Sequence, residues 1–191
     1  MKYTFVFPGQ GSQFVGMGKE LADNFQSARD VFQEVNDAVS QDLFKLIVEG
    51  PEHELTLTAN AQPALMANSM AVVRVLEKDF GIKLKDKASF VAGHSLGEYS
   101  AACAAGVFSL RDTAKLLRTR GEAMQQAVPV GVGGMAAVIG VSYQDVQALA
   151  EACADDNNLC VAANDNADGQ VVLSGHMAAI DKACLLYTSP S

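Results

Sequence analysis

The segment from Ala88 to Gly106, ASFVAGHSLGEYSAACAAG, is the strongest constraint on how this chain can fold. Its first six residues form an almost unbroken apolar run, which is typical of a buried parallel strand. The small residues of EYSAACAAG predict a closely packed helix that ends at Gly106. Between the two lies the pattern Gly-x-Ser-x-Gly, so we predict a strand, a sharp turn and a helix within an α/β fold.

Ser95 lies at the centre of this turn, between Gly93 and Gly97. A sharp elbow without flanking Cβ atoms would expose its hydroxyl as a nucleophile at the start of a helix, where the Leu96 N–H and the helix dipole favour an oxyanion. The alternative is an ordinary helix-capping serine in a glycine-rich turn. The strand before the motif and the helix after it favour the nucleophile.

A serine nucleophile needs a base, and the chain has three histidines. His94 adjoins Ser95 and leaves the tight turn in another direction, so we expect it to orient the elbow. His53 lies in a polar loop and His176 begins a helix, so both are expected at the surface. None of the three is a good candidate for the base.

A glycine-containing loop, FPGQGSQ, follows the first predicted strand, KYTFVF. It is not a phosphate-binding P-loop, because no Lys-Ser/Thr pair follows, and Phe14 stands where a dinucleotide fingerprint needs its third glycine. Gln10 can offer a side-chain hydrogen bond or its backbone N–H to an oxyanion. A simple turn remains the alternative.

Arg120 interrupts an apolar helix face in the segment that begins at Leu110. This face consists of Thr113, Ala114, Leu117, Arg120, Gly121 and Met124, whereas the opposite face, Arg111, Lys115, Arg118 and Glu122, is predicted to be solvated. A guanidinium among apolar residues requires an anion. That anion is either the carboxylate of a ligand or an internal Asp or Glu.

The remaining elements follow from apolar spacing. Helices are predicted between Lys19 and Val48, and another from QPAL onwards, with Pro63 in its first turn and Gly81 at its end. KLKDK is predicted to be a charged loop.

From about Gly133 the predicted order is strand, helix, strand, strand, helix, a ferredoxin-like unit without its last strand. LLYTSPS interrupts the last helix without a cap, and we expect this tail to be frayed or foreign. The predicted division is a large domain at 1–131, an incomplete small domain at 132–184 and an atypical tail at 185–191.

Composition excludes several classes of function for these 191 residues. A net charge of −8 argues against nucleic-acid binding. The four cysteines form no metal-binding spacing with one another or with the histidines and are expected to be mostly buried. Pro8 and Gly9 end the first apolar run before it could serve as a signal peptide or membrane span, so we expect a cytoplasmic protein without membrane contact.

Five segments occur in an order that resembles the malonyl-CoA:acyl carrier protein transacylase family of fatty-acid synthesis. They are FVFPGQGSQ, QPAL, GHSLGEYSA, RGEAMQ and NADGQVVLSG, and the resemblance runs from Tyr3 to Lys182. It implies an α/β-hydrolase-like large domain, a parallel sheet with flanking helices, interrupted by a ferredoxin-like small domain.

The resemblance also implies roles for particular residues. Ser95 would accept the malonyl group, the N–H groups of Gln10 and Leu96 would form the oxyanion hole, and Arg120 would bind the malonate carboxylate. Met124 would line the acyl pocket, with Gln62 and Asn166 near the site. The partners would be malonyl-CoA and acyl carrier protein, with no metal or other cofactor, and the protein is expected to be a monomer.

In this family the catalytic histidine follows the small domain, so we expect it to lie beyond the end of this chain, which would then be inactive. Two alternatives stay open: an acyltransferase domain fragment of a polyketide-type synthase, and a non-catalytic fragment that binds a partner. A plain esterase is disfavoured, because Arg120 would have no role with a neutral ester.

Overall fold

The computed structural model describes residues 2–129 and 131–188, which form two compact units, Met1–Gln126 and Ala127–Ser191. Each unit has its own cluster of buried apolar side chains. Within the described residues, no helix is both long and apolar enough to cross a bilayer. The α/β fold class is as predicted, whereas the division at 1–131 and 132–184 stays a prediction.

The first unit combines two strands with eight helices among its described residues. They are β1 (Tyr3–Phe7), α1 (Lys19–Asn24), α2 (Gln26–Val39), α3 (Leu43–Glu49), α4 (Glu52–Thr56), α5 (Thr58–Lys78), α6 (Leu84–Lys87), β2 (Ala88–Gly93), α7 (Leu96–Ala104) and α8 (Leu110–Ala127). The helices predicted between Lys19 and Val48 correspond to α1, α2 and α3.

Helix α5 is the central helix of this unit and packs against α2, α3, α4 and α7. It is buried on most of its circumference, as its apolar composition requires. It begins at Thr58, so the prediction that Pro63 lies in the first turn is wrong. Pro63 is inside the helix, where it cannot donate to the carbonyl of Ala59. Burial on several sides outweighs this lost hydrogen bond.

The strands β1 and β2 pair in parallel, as expected of a strand that precedes the elbow. The prediction that β2 is buried is wrong for one face of the sheet. Val6 is 73% exposed and Phe90 is 72% exposed, whereas Phe7 is buried and Val91 packs against the core. Helix α7 contacts both strands and covers the face that is buried.

The segment KLKDK is not the loop that its charges predicted. Residues Leu84–Lys87 form α6, a single helical turn. Leu84 is buried in the apolar core while Lys85 and Lys87 are exposed. One anchored leucine therefore orders a segment whose other side chains remain in water.

The second unit contains β3 (Gly133–Ile139), α9 (Tyr143–Cys153), β4 (Cys160–Ala167), β5 (Gln170–His176) and α10 (Met177–Thr188). This is the predicted order of elements. The strands form an antiparallel sheet in the order β3-β5-β4, and Asp168 and Gly169 close the β4–β5 hairpin. Gly169 has a φ of 71°, which a tight two-residue turn requires.

The predicted interruption of the last helix before Leu185 is wrong. Helix α10 continues to Thr188, and the Tyr187 hydroxyl donates a hydrogen bond to the carbonyl of Ile139 in β3. The rest of the predicted tail, 189–191, lies outside the described residues. This hydrogen bond attaches the last turn of α10 to β3.

The cysteines are free and mostly buried, as predicted. Cys103, Cys153 and Cys160 are buried, and Cys184 is exposed. Burial raises the pKa of the Cys103 thiol, although a hydrogen bond with Thr113 opposes this effect. Cys103 therefore behaves as a small apolar side chain at neutral pH.

Gly121 sets how closely α8 approaches the beginning of α5. A Cβ atom at this position would lie 2.7 Å from both the carbonyl oxygen of Thr58 and the Cα atom of Ala59. Both atoms belong to the backbone and cannot move aside as a flexible side chain could. Glycine is therefore required here by close packing.

We predict that Gly121→Ala destabilises the chain by about 1–3 kcal/mol, because the added methyl group would push α8 away from α5. In an exposed helix the same change would stabilise by about 1 kcal/mol. Urea unfolding of the variant and of Lys115→Ala, an exposed position on α8, measures the difference. An increase in the free energy of unfolding for Gly121→Ala would contradict the close approach.

Candidate active site

The turn between β2 and α7 has the strained backbone of a nucleophile elbow. Ser95 has φ 55° and ψ −110°, values that residues with a Cβ atom rarely adopt. The Gly97 N–H donates to the His94 carbonyl at 2.9 Å and the Glu98 N–H to the Ser95 carbonyl at 3.1 Å. The backbone thus passes from strand to helix within two residues, His94 and Ser95.

The two flanking glycines of the motif are required by direct backbone contact. A Cβ at Gly93 would lie 2.0 Å from the carbonyl carbon of Gly97, and a Cβ at Gly97 would lie 2.4 Å from the carbonyl oxygen of Phe7. The second contact presses the first turn of α7 onto the end of β1. The motif therefore brings the serine next to the loop that follows β1.

The hydroxyl of Ser95 does not cap α7. Although Ser95 occupies the N-cap position, its side chain makes no capping hydrogen bond. It instead accepts a hydrogen bond of 2.9 Å from Nη2 of Arg120. The ordinary capping interpretation is wrong, and the elbow and α8 hold the hydroxyl and the guanidinium together.

Arg120 is half-buried and its contacts within the described residues are all neutral. Nη1 donates to Oε1 of Gln62 at 2.6 Å, Nη2 donates to Ser95, and the guanidinium carbon lies 5.8 Å from the centre of the Tyr99 ring. Within the same part of the chain, no carboxylate forms an ion pair with Arg120. The internal salt bridge considered as an alternative is therefore absent from the described residues.

Gln62 is fully buried, with 0% of its surface exposed. Besides accepting from Arg120, it donates from Nε2 to the Sδ atom of Met124 at 3.4 Å. Met124 is itself 46% exposed. The structure thus brings four of the predicted residues together: Ser95, Arg120, Gln62 and Met124.

Arg118 was predicted to lie on the solvated face of α8, and this is wrong. Its Nη1 donates to Oδ1 of Asn60 at 3.0 Å, and Nη2 donates to Oε1 of Gln41. Burial lowers the pKa of the Arg118 guanidinium, a direction that Glu122 opposes. Arg118 therefore links α8 to the beginning of α5 and to the turn before α3.

Gln10 and Leu96 are arranged so that their backbone groups are available. The Gln10 side chain is engaged, because Nε2 donates to Oγ1 of Thr58 at 3.2 Å. Within the described residues, neither the Gln10 N–H nor the Leu96 N–H has a hydrogen-bond partner. Their role as an oxyanion hole stays a prediction.

The three histidines have different surroundings. His53 is exposed on α4, and Nδ1 of His176 accepts a hydrogen bond of 2.8 Å from the Leu159 N–H in the second unit. His94 lies against the loop after β1, since a Cβ at Gly9 would be 3.2 Å from its Nδ1 atom. The orienting role of His94 stays a prediction.

Asn166 belongs to the second unit, where it lies at an irregularity in the pairing of β4 with β5. Its predicted place near the site stays a prediction. Across residues 2–129 and 131–188, no group of three His, Cys, Asp or Glu side chains could hold a metal ion. The absence of a cofactor also remains a prediction.

Sequence reasoning missed Tyr99 and Thr58. Tyr99 lies in the first turns of α7, but Ser95 precedes this helix and has a non-helical backbone, so helical spacing does not relate the two residues. Thr58 is far from Gln10 in the chain, and no local pattern indicates their hydrogen bond. It depends on how α5 packs beside the loop after β1.

Comparison with known proteins gives a consistent result. A family model described as an acyl transferase domain matches residues 4–185. The malonyl CoA-acyl carrier protein transacylase of Bacillus subtilis (strain 168) is 45% identical over 182 residues, which cover 95% of this chain and 56% of that protein.

Solved structures are similar over nearly the whole chain. An acyl-carrier-protein-S-malonyltransferase from Bartonella henselae matches with a TM-score of 0.90 and 57% identity, covering 98% of this chain and 59% of that one. A malonyl-transacylase in complex with a type II polyketide synthase acyl-carrier protein matches with a TM-score of 0.85 and 39% identity, covering 96% and 58%. The chain spans between half and two thirds of the length of these relatives.

We predict that Ser95→Gly is more stable than Ser95→Ala by about 1 kcal/mol, because glycine relieves a backbone strain of about 1–3 kcal/mol at this φ and ψ. The control pair is Ser89→Gly and Ser89→Ala at an exposed position in β2, where glycine is expected to be the less stable. Thermal unfolding of the four variants compares the two sites. If Ser95→Gly is less stable than Ser95→Ala, as expected for the pair at position 89, the elbow is not strained.

Proposed function

The chain belongs to the acyl transferase domain family, and from that premise we propose that its parent protein transfers malonyl groups from malonyl-CoA to the phosphopantetheine thiol of acyl carrier protein. The observation that carries the proposal is the pair formed by Ser95 and Arg120. A serine hydroxyl on a strained elbow lies 2.9 Å from a guanidinium that no described carboxylate neutralises. Such a pair suits an acyl group that ends in a carboxylate.

In the first half-reaction, Oγ of Ser95 attacks the thioester carbonyl of malonyl-CoA and gives its proton to a base. The oxyanion of the tetrahedral intermediate accepts hydrogen bonds from the N–H groups of Gln10 and Leu96. The carbon–sulfur bond then breaks, and the CoA thiolate takes up the proton. A malonyl ester remains on Ser95.

The second half-reaction reverses these steps with a different thiol. The phosphopantetheine thiol of acyl carrier protein loses its proton to the base and attacks the ester carbonyl. The carbon–oxygen bond to Ser95 breaks, and the hydroxyl regains a proton. Arg120 pairs with the malonyl carboxylate in both halves, and Met124 lines the acyl pocket.

The base in this proposal is a histidine of the parent protein downstream of this chain. The support is the family resemblance together with the surroundings of His53 and His176, which bring neither to Ser95 among the described contacts. We accordingly expect the 191-residue chain alone not to turn over.

A second candidate is the same chemistry within a polyketide-type synthase. It is supported by the similarity to a malonyl-transacylase in complex with a type II polyketide synthase acyl-carrier protein. Transfer rates to two acyl carrier proteins distinguish these candidates. The enzyme would favour a fatty-acid synthesis carrier protein under the first candidate and a polyketide synthase carrier protein under the second. A purely partner-binding fragment is disfavoured, since binding alone would not require a strained serine beside an unneutralised arginine.

The proposal includes the finer features that the resemblance implies. The first unit would be part of an α/β-hydrolase-like domain and the second part of a ferredoxin-like domain, with Asn166 near the site. The parent enzyme would be a cytoplasmic monomer that uses no metal or other cofactor.

Replacing Ser95 with alanine in the full-length parent protein is expected to abolish formation of the acyl-enzyme. Wild type and Ser89→Ala should each gain the mass of one malonyl group when mixed with malonyl-CoA and quenched in acid. Intact-protein mass spectrometry measures this gain. Stoichiometric malonylation of the Ser95→Ala variant would refute the assignment of the nucleophile.

Replacing Arg120 with alanine is expected to lower kcat/KM for malonyl-CoA about 100-fold or more, since a charge-assisted bidentate contact contributes roughly 3 kcal/mol. Transfer from acetyl-CoA, which has no carboxylate, should change far less. Lys115→Ala removes an exposed cation from the same helix and should leave both rates unchanged. Equal losses with the two substrates would exclude a carboxylate-binding role.

A further inference from the structure

Gln62 is a buried polar side chain whose hydrogen bonds define its orientation. Its oxygen accepts from Nη1 of Arg120 at 2.6 Å, and its Nε2 donates to the thioether sulfur of Met124 at 3.4 Å. The reverse orientation would place an NH₂ group against a guanidinium N–H, donor against donor. The amide therefore presents an oxygen, but no charge, to the arginine.

A carboxylate is the usual partner of a half-buried arginine, because it satisfies the N–H groups and cancels the charge. Gln62 accepts a hydrogen bond from a guanidinium N–H group but does not cancel the charge of Arg120. The other described contacts of the guanidinium, the Ser95 hydroxyl and the Tyr99 ring, are also neutral. Arg120 is therefore held in place while its positive charge stays available.

The two terminal nitrogens of the Arg120 guanidinium have different partners, and one of them lies next to the Ser95 hydroxyl. Gln62 holds Nη1, and Nη2 points at Oγ of Ser95, the atom from which a bound acyl chain would extend. An acyl group on Ser95 would thus begin beside the edge of the guanidinium that Gln62 leaves unoccupied. A carboxylate one methylene beyond the ester carbonyl would meet a cation that is already oriented.

We infer that Gln62 is the positioning residue that makes the site selective for anionic acyl groups, by orienting Arg120 through a neutral acceptor. The inference rests on the proposed function and deepens it, because it assigns the charge selectivity to two residues rather than to Arg120 alone. The inference also predicts which substitution at position 62 abolishes the selectivity for anionic acyl groups. A carboxylate of the same shape at position 62 would keep the hydrogen bond and abolish the selectivity.

The decisive variant is Gln62→Glu in the parent protein, with kcat/KM measured for malonyl-CoA and for acetyl-CoA. The new carboxylate would pair with Arg120 and repel the malonyl carboxylate. Malonyl transfer is expected to fall about 100-fold, and acetyl transfer to stay within about threefold of wild type. An unchanged ratio of the two substrates would overturn the inference.

The matched control is Gln62→Met, which has similar volume, no charge and no strong acceptor. It should lower malonyl transfer about tenfold through lost orientation, while the preference for malonyl over acetyl persists, because Arg120 keeps its charge. If Gln62→Glu does not fold, this variant still decides the matter. A Gln62→Met variant that transfers malonyl groups as fast as wild type would contradict the orienting role of Gln62.

A second background tests whether Gln62 acts through Arg120. In Arg120→Met, adding the neutral change Gln62→Met should no longer lower kcat/KM for malonyl-CoA, since no guanidinium is left to orient. A tenfold loss in the Arg120→Met background as well would contradict the inference.

The outcomes also separate this inference from the proposed function. A folded wild-type parent protein that transfers no malonyl group would refute the function and, with it, the inference. A wild-type protein that transfers malonyl, together with a Gln62→Glu variant of unchanged selectivity, would refute the inference alone. If kcat/KM for malonyl-CoA and for acetyl-CoA fall equally in Gln62→Glu and in Gln62→Met, Gln62 contributes only packing and the inference is refuted.

Discussion

The site of this protein depends on an arginine that is held without being neutralised. Arg120 donates to an amide oxygen and to a serine hydroxyl and lies beside an aromatic ring, and each of these partners is uncharged. A half-buried guanidinium in such surroundings is costly unless an anion joins it. This guanidinium, 2.9 Å from the Ser95 hydroxyl, is the observation on which the proposed malonyl transfer rests.

This arrangement requires unusually close backbone contacts. Gly97 allows the first turn of α7 to press on the end of β1, and Gly121 allows α8 to press on the beginning of α5. The first contact positions Ser95, and the second brings Arg120 to the helix that carries Gln62. The glycines thus act on the chemistry indirectly, because they remove the methyl groups that would hold the elements apart.

Arg118 and Arg120 on α8 show which surroundings of a side chain helical spacing can predict and which it cannot. The apolar stripe singled out Arg120, which is half-buried and donates to Gln62 and Ser95, whereas its predicted anionic partner stays a prediction. The same helical wheel assigned Arg118 to solvent, yet Arg118 donates to Asn60 and Gln41. A wheel describes one helix, whereas the neighbours of α8 approach from more than one side. The burial of one face of β2 and the helical turn at Leu84 have the same origin in long-range packing.

The sequence by itself determined the local features: the strand, elbow and helix around Ser95, the order of elements in the second unit, and the misplaced charge at Arg120. Each follows from short-range sterics and from the spacing of apolar residues, which neighbouring positions encode. Only the tertiary structure decided that Gln62, 58 residues from Arg120, is its amide partner, and that Thr58 holds the Gln10 side chain. These contacts depend on how α5 packs between elements distant in the chain, and no local pattern carries that information.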